Sequence, residues 1–386
     1  MSIPEAQNTG GLGKPSTVLG RVKALQVQEY ALAGVVVLLF VVGAILKPDS
    51  FPTWDNVRNM LTQASVIGVL AIGMTFVIAT AGIDLSVGSM VAAAGIFGGI
   101  LLGDDGTSTL VFILGAVAFA TVLGTINATA IAYGRVVPFI ATLAMFSVAR
   151  GVALLLNDKL PVSLLDLNGG SFGDPAAFSL LWFGNGRILG IPVSVYIFIA
   201  VAVLGWIVLN RTRYGRYVVA VGGNREAARI AGVPVRRIIF SVYVLSGLLA
   251  GVATVLLCSR LGSASPVSGN LYELDAIGAV VIGGTSLAGG RATIVGTFLG
   301  VLTFALIFSL MTQLDLSTEV QQVTQGLDRP GRRPAAAPGG PVLMPRSETP
   351  QQEVCHVAEA TPHLHRRSLA AGARCRCLRR QHEDRH

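Results

Sequence analysis

The sequence predicts an all-α polytopic membrane protein, and three observations carry that reading. Apolar residues make up 52% of the 386-residue chain and charged residues 13%, roughly half the charged share of soluble domains. The apolar residues gather into span-length runs at about 29–46, 62–81, 86–103, 109–133, 138–156, 192–209, 235–258, 273–286 and 292–313, with a tenth beginning near 318. Glycine is abundant, 46 residues, as expected where helices approach closely in lipid through small side chains.

Residues 1–28 form a polar, moderately basic lead-in (Lys14, Arg21, Lys23) with no cleavage pattern behind it, expected to stay in the cytoplasm. Gly13-Lys14 is not a phosphate loop, because Pro15 stands where Ser or Thr is needed and no strand precedes it. The chain is therefore read as having no ATP site of its own. The spans are joined briefly except at 157–191, where Gly169-Gly170, Asp174-Pro175 and Gly184-Asn185-Gly186 signal turns, and at 210–234. The run 273–286 is short and opens on carboxylates. Loop 210–237 carries Arg211, Arg213, Arg216, Arg225, Arg229, Arg236 and Arg237 against Glu226 alone, so it belongs inside. Counting spans from it puts the N-terminus and Arg135 inside, and Asp104-Asp105 and 157–191 outside. The net charge of +8 is thus the writing of topology and not a nucleic-acid surface. The body has no disulfide framework, and Cys258 in its apolar run reads as a small packing residue.

Three stretches stand out. The first is Gly82-Ile83-Asp84-Leu85-Ser86-Val87-Gly88-Ser89, polar residues between two apolar runs. Either it is a short turn with Asp84 or Ser86 capping the next helix, or it is a broken helix whose Asp84, Ser86 and Ser89 face a water-filled path. The second is 214–234. There Asn224 can cap a short helix 225–231, Gly232 can end it in a left-handed conformation and Pro234 forbids continuation. This is either a basic juxtamembrane loop that only sets topology or touches anionic lipid, or a rigid knob. The third is 272–290, in which Glu273 and Asp275 enter an apolar run and Gly283-Gly284 and Gly289-Gly290 flank Thr285-Ser286. The carboxylates either favour a helix start through its dipole or line a path, and the glycines permit close packing or unwinding. Of the isolated polar residues within spans, Asn127 and Thr142 read as interhelical hydrogen-bond glue. Arg150 lies deep in its span and needs a partner or water, with Asp84, Glu273 and Asp275 as the candidate partners.

Together these three stretches resemble the permease subunits of bacterial ATP-binding-cassette importers for monosaccharides (ribose, xylose, arabinose and galactosides), with the ribose type closest. The resemblance covers roughly 28–327 and implies about ten transmembrane helices, of which nine are complete here. It also implies a multi-pass protein of the bacterial inner membrane. This subunit is not itself an enzyme and needs no cofactor. Its partners are an ATPase subunit, a periplasmic sugar-binding protein, a second permease subunit and the bilayer, with no nucleic acid. The knob becomes a coupling loop to the ATPase, formed by Gly223, Asn224, Glu226, Ala227, Ala228, Ala231 and Gly232, with Ala227, Ala228 and Ala231 as the small contacting face. Asp84, Ser86, Ser89, Arg150, Glu273, Asp275, Thr285 and Ser286 become candidates for the translocation path or its gate. A self-contained, ion-coupled sugar symporter is the alternative; it would have no use for the knob and would carry its carboxylates mid-span. An intramembrane enzyme lacks support, since the body has no His.

The organisation expected is a cytoplasmic lead-in 1–28, a transmembrane permease domain 29–327 and a disordered tail 328–386. All five His, three of the four Cys and eleven Arg without a Lys follow Leu327. Cys355-His356, His363-x-His365 and Cys375-x-Cys377 lack metal-module spacing, so no metal is assigned. Where the family continues with an apolar run, Asp328-Arg329-Pro330 intervenes. The abrupt change reads as translation in a shifted frame, which leaves the tenth span truncated. Restoring an apolar twenty-residue span after Gly326 is expected to raise both assembly and uptake above those of this chain; equal values in the two would mark the tail as a tolerated ending.

Overall fold

The computed structural model describes residues 18–102, 109–164 and 175–314. Their elements run α1 (Val18–Leu46), α2 (Trp54–Ala79), α3 (Val87–Leu102), α4 (Thr109–Ala132), α5 (Pro138–Leu155), β1 (Val162–Ser163), α6 (Pro175–Asn185), β2 (Arg187–Ile188) and β3 (Ile191–Pro192). There follow α7 (Val193–Arg211), α8 (Arg213–Gly223), α9 (Arg225–Ile230), α10 (Val235–Leu261), β4 (Ser263–Ala264), α11 (Tyr272–Ile282) and α12 (Ile294–Gln313). The strands form two antiparallel two-residue pairs, β1 with β4 and β2 with β3. The lead-in's Gly13-Lys14, Asp104-Asp105, Gly169-Gly170, Asp174, the tenth run from 318 and the tail 328–386 lie outside the described residues.

The molecule is an all-α polytopic membrane protein. Among the described residues seven helices are long and apolar enough to cross a membrane: α1 from Glu29, α2, α4, α5, α7, α10 and α12. Two of the nine expected runs form shorter helices among the described residues. α3 has 16 residues, and α11 has 11, which at 1.5 Å per residue reach about half the hydrocarbon thickness. α11 stops because Gly283 meets the backbone of Gly296 on α12, and Gly284 turns the chain at φ 91° into the non-helical stretch 284–293. At the other extreme α1 begins at Val18, well before its apolar run.

α2 is the shaft of the bundle, buried continuously from Ala64 to Ala79 and packed by α7, α10, α11 and α12. α10 lies backbone to backbone on α4 through Gly124, Gly247 and Gly251. A Cβ on Gly124 would stand 2.8 Å from the Gly247 Cα, and one on Gly251 would stand 2.6 Å from the Val117 Cα. Van der Waals contact of small residues is what holds helices together where no hydrophobic force separates them from lipid. Gly124→Ala is therefore expected to cost about 1–3 kcal/mol through overpacking, despite alanine's better helix propensity. Gly34→Ala on α1, whose Cβ would meet nothing, should be neutral or stabilising. Thermal unfolding of the two variants in detergent checks the contrast. The periphery is apolar and bare at Val37, Leu38, Leu114, Val203 and Leu204, as lipid contact requires.

The bundle has two distinct ends. α8, α9 and the α4–α5 turn share the arginine-rich end, where the Tyr133 ring lies 5.7 Å from Phe240. α6 and the β1–β4 pair share the far end: Asn185 donates to the Ser259 carbonyl near the end of α10, and the Leu164 N–H donates to the Gly262 carbonyl.

Candidate functional site

α2 ends where Thr80 turns its hydroxyl back onto the Val77 carbonyl (2.8 Å), and Ala81 adopts φ 59°, which a residue with a Cβ rarely takes. Gly82 follows, packed so tightly against the Tyr243 hydroxyl that a Cβ would collide with it. The chain then runs without helix through Asp84 until α3 starts at Val87. Asp84 is fully buried and organises this break. Its Oδ1 accepts from the Ser86 N–H (3.0 Å) and the Ser86 hydroxyl (2.5 Å), and its Oδ2 accepts from the Ser246 hydroxyl on α10 (2.9 Å). Asn127 of α4 donates to Ser86 Oγ (2.9 Å), and Thr142 of α5 donates to the Ile83 carbonyl (3.2 Å). Ser89 turns its hydroxyl onto the Ser86 carbonyl. Asp84 is thus more than a local cap: one carboxylate ties the start of α3 to α10 and, through Ser86, to α4. Buried carboxylates are tolerated when donors satisfy them, and here three do.

A second polar group surrounds Arg150. Its Nη1 donates to the carbonyls of Pro266 (2.7 Å) and Ser268 (3.1 Å), and its guanidinium lies 5.9 Å from the centre of the Phe146 ring. Among the described residues no carboxylate pairs with it directly, but of the three candidates Glu273 lies close enough to interact with the guanidinium electrostatically. Residues 262–271 dip into the bundle, so loop carbonyls meet the arginine first. The dip is anchored where Gly269, at φ 67°, meets the Gly88 carbonyl, and it carries the start of α11 inward. Glu273 consequently packs on Gly88 in the first turn of α3, and Glu273 and Asp275 are both buried. Gly88 lies between Asp84, which meets Ser246, and Val91, which meets Thr254, so these carboxylates sit opposite the middle of α10. The Glu273 Oε2 and Arg150 Nη2 atoms are buried without a hydrogen-bond partner. Thr285 and Ser286 lie elsewhere, in the 284–293 stretch at the arginine-rich end. There Thr285 Oγ1 accepts from the Thr293 N–H, and the Ser286 N–H donates to the Arg291 carbonyl. Of the eight path candidates, Asp84, Ser86 and Ser89 sit at the helix break, Arg150, Glu273 and Asp275 adjoin it through the contact of Glu273 with Gly88, and Thr285 and Ser286 lie apart.

The knob forms as its residues require. Asn224 Oδ1 accepts from the N–H groups of Glu226 and Ala227, both at 3.0 Å, which caps α9. Gly232 ends it at φ 80°, with the Gly232 N–H on the Arg229 carbonyl and the Val233 N–H on the Ala228 carbonyl. Glu226 and Arg229 make a two-pronged exposed ion pair (2.6 and 3.0 Å), and the Arg229 guanidinium holds the Glu226 carboxyl below its usual range. The expected small face is corrected at Ala228, which is buried against the bundle, whereas Ala227 and Ala231 are exposed. Ile230, 76% exposed at the end of α9, was not anticipated. The knob rests on the end of the shaft: Arg225 Nη2 donates to the Thr80 carbonyl (3.3 Å), Gly290 N–H donates to the Ala79 carbonyl (3.0 Å), and Gly222 leaves no room for a Cβ between them. Sequence reading missed Ser246, Tyr243 and Arg225. For Ser246 a signal was there, a hydroxyl beside Gly247 in an apolar span.

A multi-pass helical bundle with a broken helix, an interior polar knot and a capped knob seated on the same helix end has the architecture of a membrane transport subunit. Residues 56–327 match the family described as branched-chain amino acid transport system / permease component, and the chain belongs to that permease family. It is 41% identical over 315 residues to the ribose import permease protein RbsC of Escherichia coli K12, covering 81% of this chain and 95% of that one. It is 44% identical over 292 residues to RbsC of Bacillus subtilis 168, covering 75% and 87%. The xylose transport system permease protein XylH of Haemophilus influenzae Rd is 31% identical over 356 residues, covering 79% and 95%. The resemblance read from the three stretches is borne out.

Proposed function

We propose that this chain is the membrane permease subunit of an ATP-binding-cassette importer that carries a monosaccharide, a ribose-like pentose first among them, across the bacterial inner membrane. The N-terminus and the arginine-rich end face the cytoplasm, in accord with the positive-inside rule. ATP hydrolysis resides in a separate subunit that α9 meets, a periplasmic binding protein delivers the sugar, and two copies of the permease enclose the path. The observation that carries this reading is the mounting of the knob. Arg225 and Gly222 join α9 and α8 to Thr80 and Ala79, next to the break that Asp84 holds. Force applied at the knob therefore reaches the interior without crossing a flexible loop.

The buried carboxyl groups Asp84, Glu273 and Asp275 are the features that an ion-coupled symporter would also use. Proteoliposomes holding the chain, its ATPase and its binding protein separate the two. Labelled ribose is expected to accumulate with internal ATP present and with proton and sodium gradients collapsed. Uptake that needs a gradient and ignores ATP would overturn the reading.

A further inference from the structure

We propose that the elbow between α7 and α8 is a binding site for the headgroup of an anionic phospholipid, a role independent of the sugar carried. The lipid-facing side of α7 is a bare apolar stripe of Ile199, Val203, Trp206 and Ile207. Arg211 closes the helix just beyond that stripe, and its guanidinium lies 5.3 Å from the centre of the Trp206 ring. An indole at the bilayer boundary with an arginine stacked on it marks the depth at which headgroups begin.

The elbow is rigid. Thr212 donates to the Val208 carbonyl (2.6 Å) and accepts from the Gly215 N–H (3.2 Å), and Gly215 packs directly on the Leu209 carbonyl. Arg213 and Arg216 follow within the first turn of α8, both exposed, with Tyr217 beside them. Three exposed guanidiniums within six residues of a fixed turn are suited to an anion, because arginine's planar fork matches phosphate oxygens. Among the described residues the acidic groups of this end are engaged elsewhere, Glu226 with Arg229 and Glu29 as acceptor for Thr293. The charge continues a lipid-facing stripe, whereas the face offered to a protein partner is on α9. A headgroup over Arg211, Arg213 and Arg216 with its acyl chain along Val203 and Ile199 satisfies both surfaces.

The chain has three tryptophans, so Trp54→Phe with Trp182→Phe leaves Trp206 as the sole reporter. In this background, brominated phosphatidylglycerol titrated into mixed micelles is expected to quench Trp206 at a lower mole fraction than brominated phosphatidylcholine. Arg211→Gln, Arg213→Gln and Arg216→Gln combined should raise the phosphatidylglycerol midpoint, by about five-fold per arginine removed. The matching triple Lys variant keeps the charge and should retain the preference for phosphatidylglycerol, which guards against a folding artefact. Equal quenching by the two lipids, or an unchanged midpoint in the Gln variant, would overturn the proposal. Protection of Trp206 by inorganic phosphate alone at millimolar concentration would identify a free-anion site instead. Loss of ATPase-subunit association in the Gln variant with unchanged lipid midpoints would identify a protein-docking surface.

Discussion

Asp84→Asn is expected to cut sugar uptake by about tenfold or more while the protein still inserts and assembles. Asparagine preserves the local turn, since its one carbonyl oxygen can still accept from the Ser86 N–H. It cannot offer an acceptor on both sides, and its amide would face the Ser246 hydroxyl that now donates to Oδ2. Removing one partner from a buried hydrogen bond costs about 1–3 kcal/mol, so weakening this cross-helix tie shifts any equilibrium between arrangements of α3 and α10 by about tenfold. Ser246→Ala removes the same tie from the other side and should give a similar loss. Uptake normalised to assembled complex is the measurement. Full uptake by both variants would reduce Asp84 to a helix cap.

The second large effect is expected at the knob, where two neighbouring alanines should behave oppositely. Ala227→Glu lies on the exposed side of α9 and should leave folding intact while uncoupling uptake from ATP hydrolysis. Ala228→Glu places a carboxylate where the structure is buried, and should instead lose the protein from the membrane. Ile230→Asp removes the bare apolar side chain and should follow Ala227→Glu. Gly232→Val adds a Cβ at φ 80°, costing about 1–2 kcal/mol in backbone strain alone. Expression level and ATP-driven uptake measured together distinguish these classes. Normal uptake with Ala227→Glu and Ile230→Asp would remove α9 from the coupling path.

Much of this was legible before any coordinates. Apolar runs give the crossings because lipid leaves the backbone no alternative to a helix. The knob is legible because Asn224, Gly232 and Pro234 each act locally. What failed to read out depends on tertiary neighbours. Six residues are too few for a helical period to reveal which alanine faces inward, and the answer was set by the bundle beneath α9. For Arg150 only carboxylates could be named as candidate partners, because sequence shows side chains and not the path of a loop. The carbonyls of Pro266 and Ser268 reached it because residues 262–271 turn inward. That same inward turn carries the first turn of α11, with Glu273 and Asp275, to a position opposite the middle of α10. Ser246 lies 162 residues from Asp84, and no local pattern connects them.

That separation has a consequence for biogenesis. Asp84 enters the bilayer with α2 and α3, but the hydroxyl that completes its coordination is not yet synthesised. At bacterial elongation rates of up to about 20 residues per second, at least 8 s pass before Ser246 emerges from the ribosome. Through that interval the carboxylate has only Ser86 and, once α4 has inserted, the Asn127 that backs Ser86. The nascent N-terminal half is therefore a substrate for membrane quality control until α10 docks, and any delay in translating the second half lengthens its exposure to proteolysis.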